Sequence, residues 1–297
     1  MNNQETALPE IPANRSDDLH NLEYMEDADL VLFMAGNQFM VMEELLQAFQ
    51  QKHPEVKHIF YETLPPGLEL KQILAGGARF RDRIITGTPD VYSSVSEDAM
   101  KELSGKGFIS EYFIYLHNRI VLMIPENNPA NVKDVSDLAR DDVRISQPGP
   151  LEDITRYILD MYREAGSEAL VKRIMEEKRE EGTTILTTVH HRETPLRIKK
   201  GTVDVGPVWA TEVANARTEG LRVTAVEPGE GLDQRDKVNY YIAMLKKAPN
   251  PENAAKFLDF IKSPQAQGIY ARYGFMPHPR KCLASAAVTS ISGMEQR

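Results

Sequence analysis

The stretch TTILTTVHHRETPLRIKKGTVDVGPVWATE, residues 183–212, decides the fold class. It begins with an apolar, β-branched run over residues 184–189, which is typical of a buried strand. A short helical segment, Leu196 to Lys200, follows and is closed by Gly201. A second apolar run, Val203 to Val208, precedes another helix that starts at Thr211. This order of elements is a βαβα unit, so the sequence predicts an α/β protein.

Polar side chains stand where these strands end and the helices begin. The residues His190-His191-Arg192-Glu193 follow the first run, and Trp209 ends the second. Thr194-Pro195 is a good helix start, because threonine accepts backbone N–H bonds and proline at the first position loses no bond. Open α/β sheets bind ligands at this edge, and helix N-termini favour anions there. We therefore expect a ligand site around residues 190–193 and 209.

Strands and helices alternate along the rest of the chain, and two long extended runs interrupt the alternation. The first lies within residues 109–124 and the second within residues 238–245. Two such crossings predict two lobes around a cleft, each a mixed sheet flanked by helices and joined by two hinges. The predicted organisation is a disordered or loosely docked leader at 1–27, lobe 1 at 28–114 plus 238–297, and lobe 2 at 115–237.

Composition excludes several classes of partner and site. The formal net charge of −9 argues against nucleic acid and against an anionic membrane surface. With Cys282 as the single cysteine, neither an intrachain disulfide nor a cysteine-rich zinc site can form. The sequence contains no run of 18 apolar residues, so it predicts no membrane span. The polar N-terminus does not look like a signal peptide. Two locations therefore stay open. The protein is cytosolic if Met1 is the native start, and periplasmic or otherwise extracytoplasmic if a signal was removed.

Three further segments carry a family likeness: PDVYSS at 89–94, VDVGPVW at 203–209, and FLDFIKSPQAQ at 257–267 followed by YGF at 273–275. In these segments the chain resembles type II periplasmic solute-binding proteins of ABC transporters, in particular the molybdate-binding group. The resemblance implies a two-lobe type II fold over roughly residues 28–280. It also implies a monomeric receptor without a cofactor, which captures a small ligand, most simply a tetrahedral oxyanion such as molybdate or tungstate, for a membrane permease.

The chain departs from the molybdate pattern at the site itself. That pattern places a serine in each of the first two loops, whereas this chain has Gly36-Asn37-Gln38 and Glu62-Thr63 there. Trp209 replaces a tyrosine of the pattern and offers only an indole N–H. Neutral N–H and O–H donors and an arginine fork suit an oxyanion. The predicted ligand-binding residues are Asn37, Gln38, Glu62, Thr63, Ser93, Ser94, Gln147, His191, Arg192, Glu193 and Trp209.

Each of these assignments has an alternative. Asn37, Ser94 and Thr194 are also suitable as helix caps, Ser94 in a capping box with Glu97. Trp209 is equally suited to packing between lobes. Imidazole suits zinc, copper, nickel or iron, so a metal ion or metal chelate is a second ligand class, and its predicted ligands are His190, His191, Glu62 and Glu193. Adjacent strand residues face opposite ways, so the pattern does not decide which histidine faces the cleft.

The chain carries none of the common catalytic motifs. It has no GxSxG elbow, P-loop, HExxH or Rossmann glycine pattern. A His-His-Glu cluster could hold a catalytic metal, which leaves a metal-dependent enzyme as the third class. The sequence favours a binding protein that is not an enzyme.

Overall fold

The computed structural model describes residues 7–150, 152–187 and 193–278. Strands and helices alternate over these residues, as the sequence predicts. In chain order the strands are β1 (Leu19–His20), β2 (Leu30–Phe33), β3 (Ile59–Glu62), β4 (Gly77–Phe80), β5 (Arg83–Thr86), β6 (Val91–Ser94), β7 (Phe113–His117), β8 (Ile120–Pro125), β9 (Ile145–Gln147), β10 (Thr184–Leu186), β11 (Gly206–Trp209), β12 (Val223–Val226), β13 (Asn239–Met244) and β14 (Met276–Pro277). The helices are α1 (Phe39–Lys52), α2 (Pro66–Ala75), α3 (Glu97–Gly105), α4 (Ile154–Lys172), α5 (Lys178–Glu180), α6 (Glu193–Lys199), α7 (Ala210–Thr218), α8 (Pro251–Ile261) and α9 (Pro264–Arg272).

The larger sheet is mixed and has the strand order β1-β3-β2-β6-β13-β7-β14. Strand β2 is parallel to β3 and to β6, whereas β13 is antiparallel to β6 and β7. All four residues of β2 are buried, which explains why this strand is continuously apolar rather than alternating. Parallel β2, β3 and β6 therefore end at one edge of the sheet.

A second group of strands forms after the chain leaves β7. Strands β11, β8 and β12 make an antiparallel sheet, and β9 pairs with β10 in parallel. A parallel bridge between Ile145 and Val205 connects the two parts. The chain passes from the larger sheet to this group at residues 118–119 and returns at residues 227–238. The first passage lies within the extended run at 109–124, whereas the second precedes the run at 238–245, which forms β13 of the larger sheet.

Aromatic side chains pack α1 against α8. The ring of Phe49 lies 5.3 Å from that of Phe257 in an edge-on arrangement and 5.5 Å from that of Phe260. All three are fully buried, and burial of one such side chain stabilises a fold by about 1.5–3 kcal/mol. The apolar residues within 42–49 have the spacing of one helix face, and they are buried in α1. No helix in the described ranges has both the length and the hydrophobicity to cross a membrane.

The N-terminal segment is packed, which corrects the prediction of a disordered leader for residues 7–27. Strand β1 pairs with β3, and a 3₁₀ helix spans Ala13–Asp18. Ile11 is 1% exposed and Leu19 is 6% exposed. The sequence shows few large apolar residues here, but these two enter the apolar cluster beneath the larger sheet. Burial of these two side chains and the pairing of β1 with β3 hold the segment in place.

Three local expectations also need correction. The side chain of Ser96, rather than Ser94, caps α3 by accepting the N–H of Ala99 at 3.4 Å. Asn37 lies in a 3₁₀ turn, Gly36–Gln38, and makes no capping bond. The sequence patterns did not predict the hairpin formed by β4 and β5. Ser263 caps α9, because its hydroxyl accepts the N–H of Ala266 at 3.2 Å.

Candidate functional site

A cavity of about 570 Å³ lies where strands of both groups end. Its walls include residues that directly follow β2, β3 and β6 of the larger sheet, and residues that follow or end β9, β10 and β11. Helices α2 and α4 begin at its edge with Pro66 and Ile154. This is the ligand position expected for an α/β fold, because parallel strands present their carboxyl ends and the following helix N-termini on one side.

Two glycines allow the loops around the cavity to approach each other closely. A Cβ atom on Gly36 would lie 2.9 Å from the carbonyl oxygen of Thr63, in the loop after β3. A Cβ atom on Gly149 would lie 2.7 Å from the carbonyl oxygen of Thr187, after β10. Any larger residue at either position would push a cavity wall outward.

Three predicted ligand-binding residues line the cavity. Asn37, Thr63 and Trp209 are 6%, 1% and 2% exposed, so each is shielded from bulk water by the walls. The amide of Asn37 donates to the hydroxyl of Tyr240. The hydroxyl of Thr63 lies 3.2 Å from Nε2 of His20, in β1. These contacts fix the orientation of the polar groups before any ligand binds.

Trp209 packs against a neighbouring helix and also lines the cavity, and its contact with a ligand stays a prediction. Its ring packs edge-on against Tyr157 of α4 at 5.8 Å between centroids, and it also lines the cavity. The packing holds the indole at the end of β11, where its position is set by the sheet. The structure thus gives Trp209 a packing role and a place in the wall at the same time.

Gln38 and Ser93 are buried beside the cavity rather than in its lining. The amide of Gln38 donates to the hydroxyl of Ser93 at 3.1 Å. The hydroxyls of Tyr115 and Tyr270 donate to the side-chain oxygen of Gln38 at 2.8 and 2.9 Å. Burial raises the pKa of Tyr115 above its usual range, so the phenol stays a donor. These hydrogen bonds hold the loop after β2 in place on the side that faces away from the cavity.

Glu62 also points away from the cavity. It is fully buried, and the Gln72 amide of α2 donates to its Oε1 at 2.9 Å. Burial raises the pKa of Glu62 to about 8. Glu69, one turn before Gln72, is likewise buried, and burial together with the charge of Glu62 raises its pKa well above the usual range. Burial thus favours the neutral form of both carboxyls.

Ser94, Gln147 and Glu193 are close to the strand ends but are not part of the lining. The hydroxyl of Ser94 accepts the backbone N–H of Ser96 at 3.0 Å, and Gln147 accepts the Tyr162 hydroxyl at 2.7 Å. Glu193 forms an ion pair with Arg197 at 2.6 Å. Thr194 is inside α6, where its hydroxyl contacts that of Ser146 at 2.8 Å.

His190, His191 and Arg192 lie outside the described residues, so the fold gives no position for them. Their proposed roles as oxyanion or metal ligands stay predictions. Within the described ranges, no group of three or more histidine, cysteine, aspartate or glutamate side chains could hold a metal ion.

The structure adds charged residues that the sequence analysis does not single out. Arg15 and Asp18 come from the N-terminal segment, Lys71 from α2, and Glu152 and Asp153 from the turn before α4. Arg15 pairs with Asp18 at 3.0 Å. No periodic or motif signal marks these residues, because they reach the cavity only through tertiary packing. The one local signal is the proline in the loops at 65–66 and 148–150, because proline restricts the backbone and makes these cavity walls rigid.

Comparisons with known proteins agree with this geometry. The profile of the family described as "Bacterial extracellular solute-binding protein" matches residues 30–276. YvgL of Bacillus subtilis, named as an ABC transporter substrate-binding lipoprotein, is 24% identical over 189 residues, which span 63% of this chain and 66% of that protein.

Solved structures show the same fold at low sequence identity. The periplasmic molybdate-binding protein of Azotobacter vinelandii is 16% identical with a TM-score of 0.66, covering 84% of this chain and all of that one. Iron-bound HitA of Pseudomonas aeruginosa is 16% identical with a TM-score of 0.65, covering 87% of this chain and 89% of that one. The fold of this chain is therefore that of the periplasmic binding proteins.

Proposed function

Because the chain belongs to the family of bacterial extracellular solute-binding proteins, we propose that it is a receptor which captures a small solute and delivers it to a membrane ABC transporter. The observation that carries this proposal is the position of the cavity, whose walls come from strand ends of both sheet groups. A ligand there touches both groups at once. Binding energy can then stabilise a closed arrangement, which a permease can distinguish from an open one.

We propose that the two sheet groups are the cores of two lobes, with boundaries near residues 115 and 237, and that they move about the two crossings. Arg119 in the first crossing pairs with Glu227 of the second at 2.5 Å and lies 3.8 Å from Asp233. Asn118 donates to Tyr240 of the larger sheet and to Thr211 of α7, both at 3.2 Å. The ion pairs join the two crossings, and Asn118 joins the first crossing to both groups, so bending is expected to be confined to a few residues.

The ligand proposed from the sequence, an oxyanion, is supported by the surroundings of the cavity. The starts of α2 and α4 lie at its edge, and a helix N-terminus stabilises an anion by about 0.3–1 kcal/mol or more when partly buried. Asn37, Thr63 and Trp209 offer an amide, a hydroxyl and an indole N–H. We expect these three to contact the ligand, with molybdate and tungstate as the simplest candidates.

A thermal-shift screen of the full chain tests the proposal, followed by calorimetry of each ligand that raises the melting temperature. Molybdate, tungstate, sulfate and phosphate represent the oxyanions. Thr63→Ala is expected to weaken binding by about 0.5–1.5 kcal/mol through the loss of one hydroxyl. Thr218→Ala, at the far end of α7, is the matched control. Equal affinity in the two variants would remove Thr63 from the site.

The second ligand class, a metal ion or chelate, is favoured by the acidic residues of the lining, Asp18, Glu152 and Asp153. In the described ranges these carboxylates are not gathered into a three-residue cluster, so a metal would also need His190 or His191. Zinc, nickel and iron(III) citrate added to the same screen separate the classes. A His191→Ala variant that loses metal binding but keeps oxyanion binding would favour the metal class.

We further propose that the protein acts outside the cytoplasm, as a monomer and without turnover of its ligand. The family and the lipoprotein name of the Bacillus relative support this location. Cell fractionation and light scattering on the purified chain test location and oligomeric state. Chemical conversion of a bound ligand, followed by mass spectrometry, would contradict a pure receptor.

A further inference from the structure

The N-terminal segment 12–18 forms one wall of the ligand cavity although it precedes the family match at residues 30–276. Pro12, Asn14, Arg15 and Asp18 all line the cavity. A wall supplied from outside the shared domain is a natural place for ligand selection, because it can differ while the shared fold is kept.

Backbone hydrogen bonds fix this wall on both sides. The N–H of Ile11 donates to the carbonyl of Arg79 at 2.8 Å, and the N–H of Arg79 donates to the carbonyl of Pro9 at 2.8 Å. At the other end, the N–H of Thr63 donates to the carbonyl of Asp18 at 2.9 Å. Thr63 is itself a cavity residue, so the segment is joined directly to the proposed oxyanion contact.

The size of the cavity exceeds what a bare oxyanion needs. A tetrahedral oxyanion has five heavy atoms and fills on the order of 100 Å³, since one water occupies about 30 Å³ in the liquid. The cavity is about 570 Å³, which is in the range of sites for organic molecules.

Apolar side chains supply much of the lining beyond the predicted oxyanion contacts, next to charged residues such as Lys71 and Glu152. Leu68 of α2, Val95 after β6 and Ile154 of α4 all face the cavity, together with prolines of two loops. Apolar walls with a few placed polar groups suit carbon-containing ligands, whereas a small ion is solvated best by polar groups alone. The N-terminal segment adds further polar groups to this lining, namely the Asn14 amide and the Arg15–Asp18 pair at 3.0 Å.

We propose that the ligand is an organic molecule that carries an oxyanion group, such as a phosphate monoester or a carboxylate, and that segment 12–18 recognises its organic part. This inference rests on the proposed receptor function. The oxyanion group lies toward Asn37, Thr63 and Trp209, and the organic part extends toward Asn14 and Arg15. The segment acts as the specificity-determining wall.

The experiment compares paired probes on the full chain by calorimetry. Inorganic phosphate, sulfate and molybdate are the bare ions, and a library of phosphate monoesters, sulfonates and carboxylates, glycerol 3-phosphate and citrate among them, supplies organic partners. Asn14→Tyr places a bulky side chain where the organic part of the ligand is expected, and Arg15→Gln removes the positive charge of the segment. Asp17→Asn is the control, because Asp17 is on the same 3₁₀ helix, is exposed and does not line the cavity. A melting curve of each variant reports whether the fold is kept.

We expect at least one organic probe to bind more tightly than its bare ion. Asn14→Tyr should weaken that probe by about tenfold or more through steric exclusion, with the bare ion unaffected. Tighter binding of a bare ion than of every organic probe would overturn this inference and leave the receptor function standing. The inference is likewise overturned if Asn14→Tyr and Arg15→Gln bind the organic probes with the same affinity as the control Asp17→Asn. If no probe of either kind binds the wild-type chain, the proposed function itself fails.

Discussion

Glu62→Gln is expected to remove much of the pH dependence of folding stability above pH 5. Glu62 is fully buried, its Oε2 has no hydrogen-bond partner among the described residues, and burial raises its pKa from 4.5 to about 8. A folded-state pKa above the unfolded value means that the folded chain holds the proton more tightly. The stabilising contribution is therefore complete below pH 4.5 and is lost as the pH rises toward 8.

The magnitude follows from the same two pKa values. At pH 7 the difference of about 2.5 pH units from the unfolded pKa corresponds to about 3 kcal/mol of lost stability, and above pH 8 to about 5 kcal/mol. Because Glu69 shifts in the same direction beside it, the two carboxyls titrate as a pair. Glutamine keeps the oxygen that accepts from Gln72 and cannot ionise, so it mimics the neutral acid.

Urea unfolding of the full chain at pH 5, 6, 7, 8 and 8.5 measures this effect. Glu62→Gln should match the wild type within about 1 kcal/mol at pH 5 and exceed its stability by several kcal/mol at pH 8.5. The exposed Glu111→Gln is the control and should follow the wild-type curve. A wild-type unfolding free energy that is flat between pH 5 and 8, or a parallel curve for Glu62→Gln, would refute the reasoning.

Three further outcomes test the site and its support. Trp209 is the single tryptophan of the chain and lines the cavity, so ligand binding should change its fluorescence, and Trp209→Phe should abolish the signal and weaken binding in calorimetry. Tyr240→Phe leaves the amide of Asn37 without its acceptor and should lower the unfolding free energy in urea by about 1–3 kcal/mol. A Cβ atom on Gly87 would lie 2.3 Å from a backbone nitrogen, whereas one on Gly105 meets nothing within 4 Å. Thermal melts should therefore show Gly87→Ala destabilised by about 1–3 kcal/mol or more and Gly105→Ala close to wild type; equal melting temperatures would contradict this packing.

The strands and helices could be predicted from the sequence because their signals are local. The apolar runs at 203–208 and 238–245 overlap β11 and β13, and the apolar residues within 42–49 lie in α1. The cavity lies at strand ends, and Asn37, Thr63 and Trp209 are in its lining. The role of each of these residues toward a ligand stays a prediction.

Other parts of the site could not be derived from local patterns. Glu62 and Asn37 both follow or end a buried strand, yet Glu62 turns toward Gln72 and Asn37 toward the cavity. The choice depends on neighbours far along the chain, since Tyr240 is 203 positions from Asn37. The capping box predicted at Ser94 failed for a related reason, because the β6–β13 pairing keeps Ser94 within the strand.

The sequence by itself determined the α/β class and the alternation of strands and helices, because chain periodicity and turn chemistry act over a few residues. The tertiary structure alone decided which side chains reach the cavity. It buried Glu62, Gln38 and Ser93 behind the walls and brought Arg15 and Asp18 of the N-terminal segment into the lining. The physical reason is that Ile11 and Leu19 gain burial in a distant apolar cluster, and no pattern within residues 7–27 specifies where that cluster is.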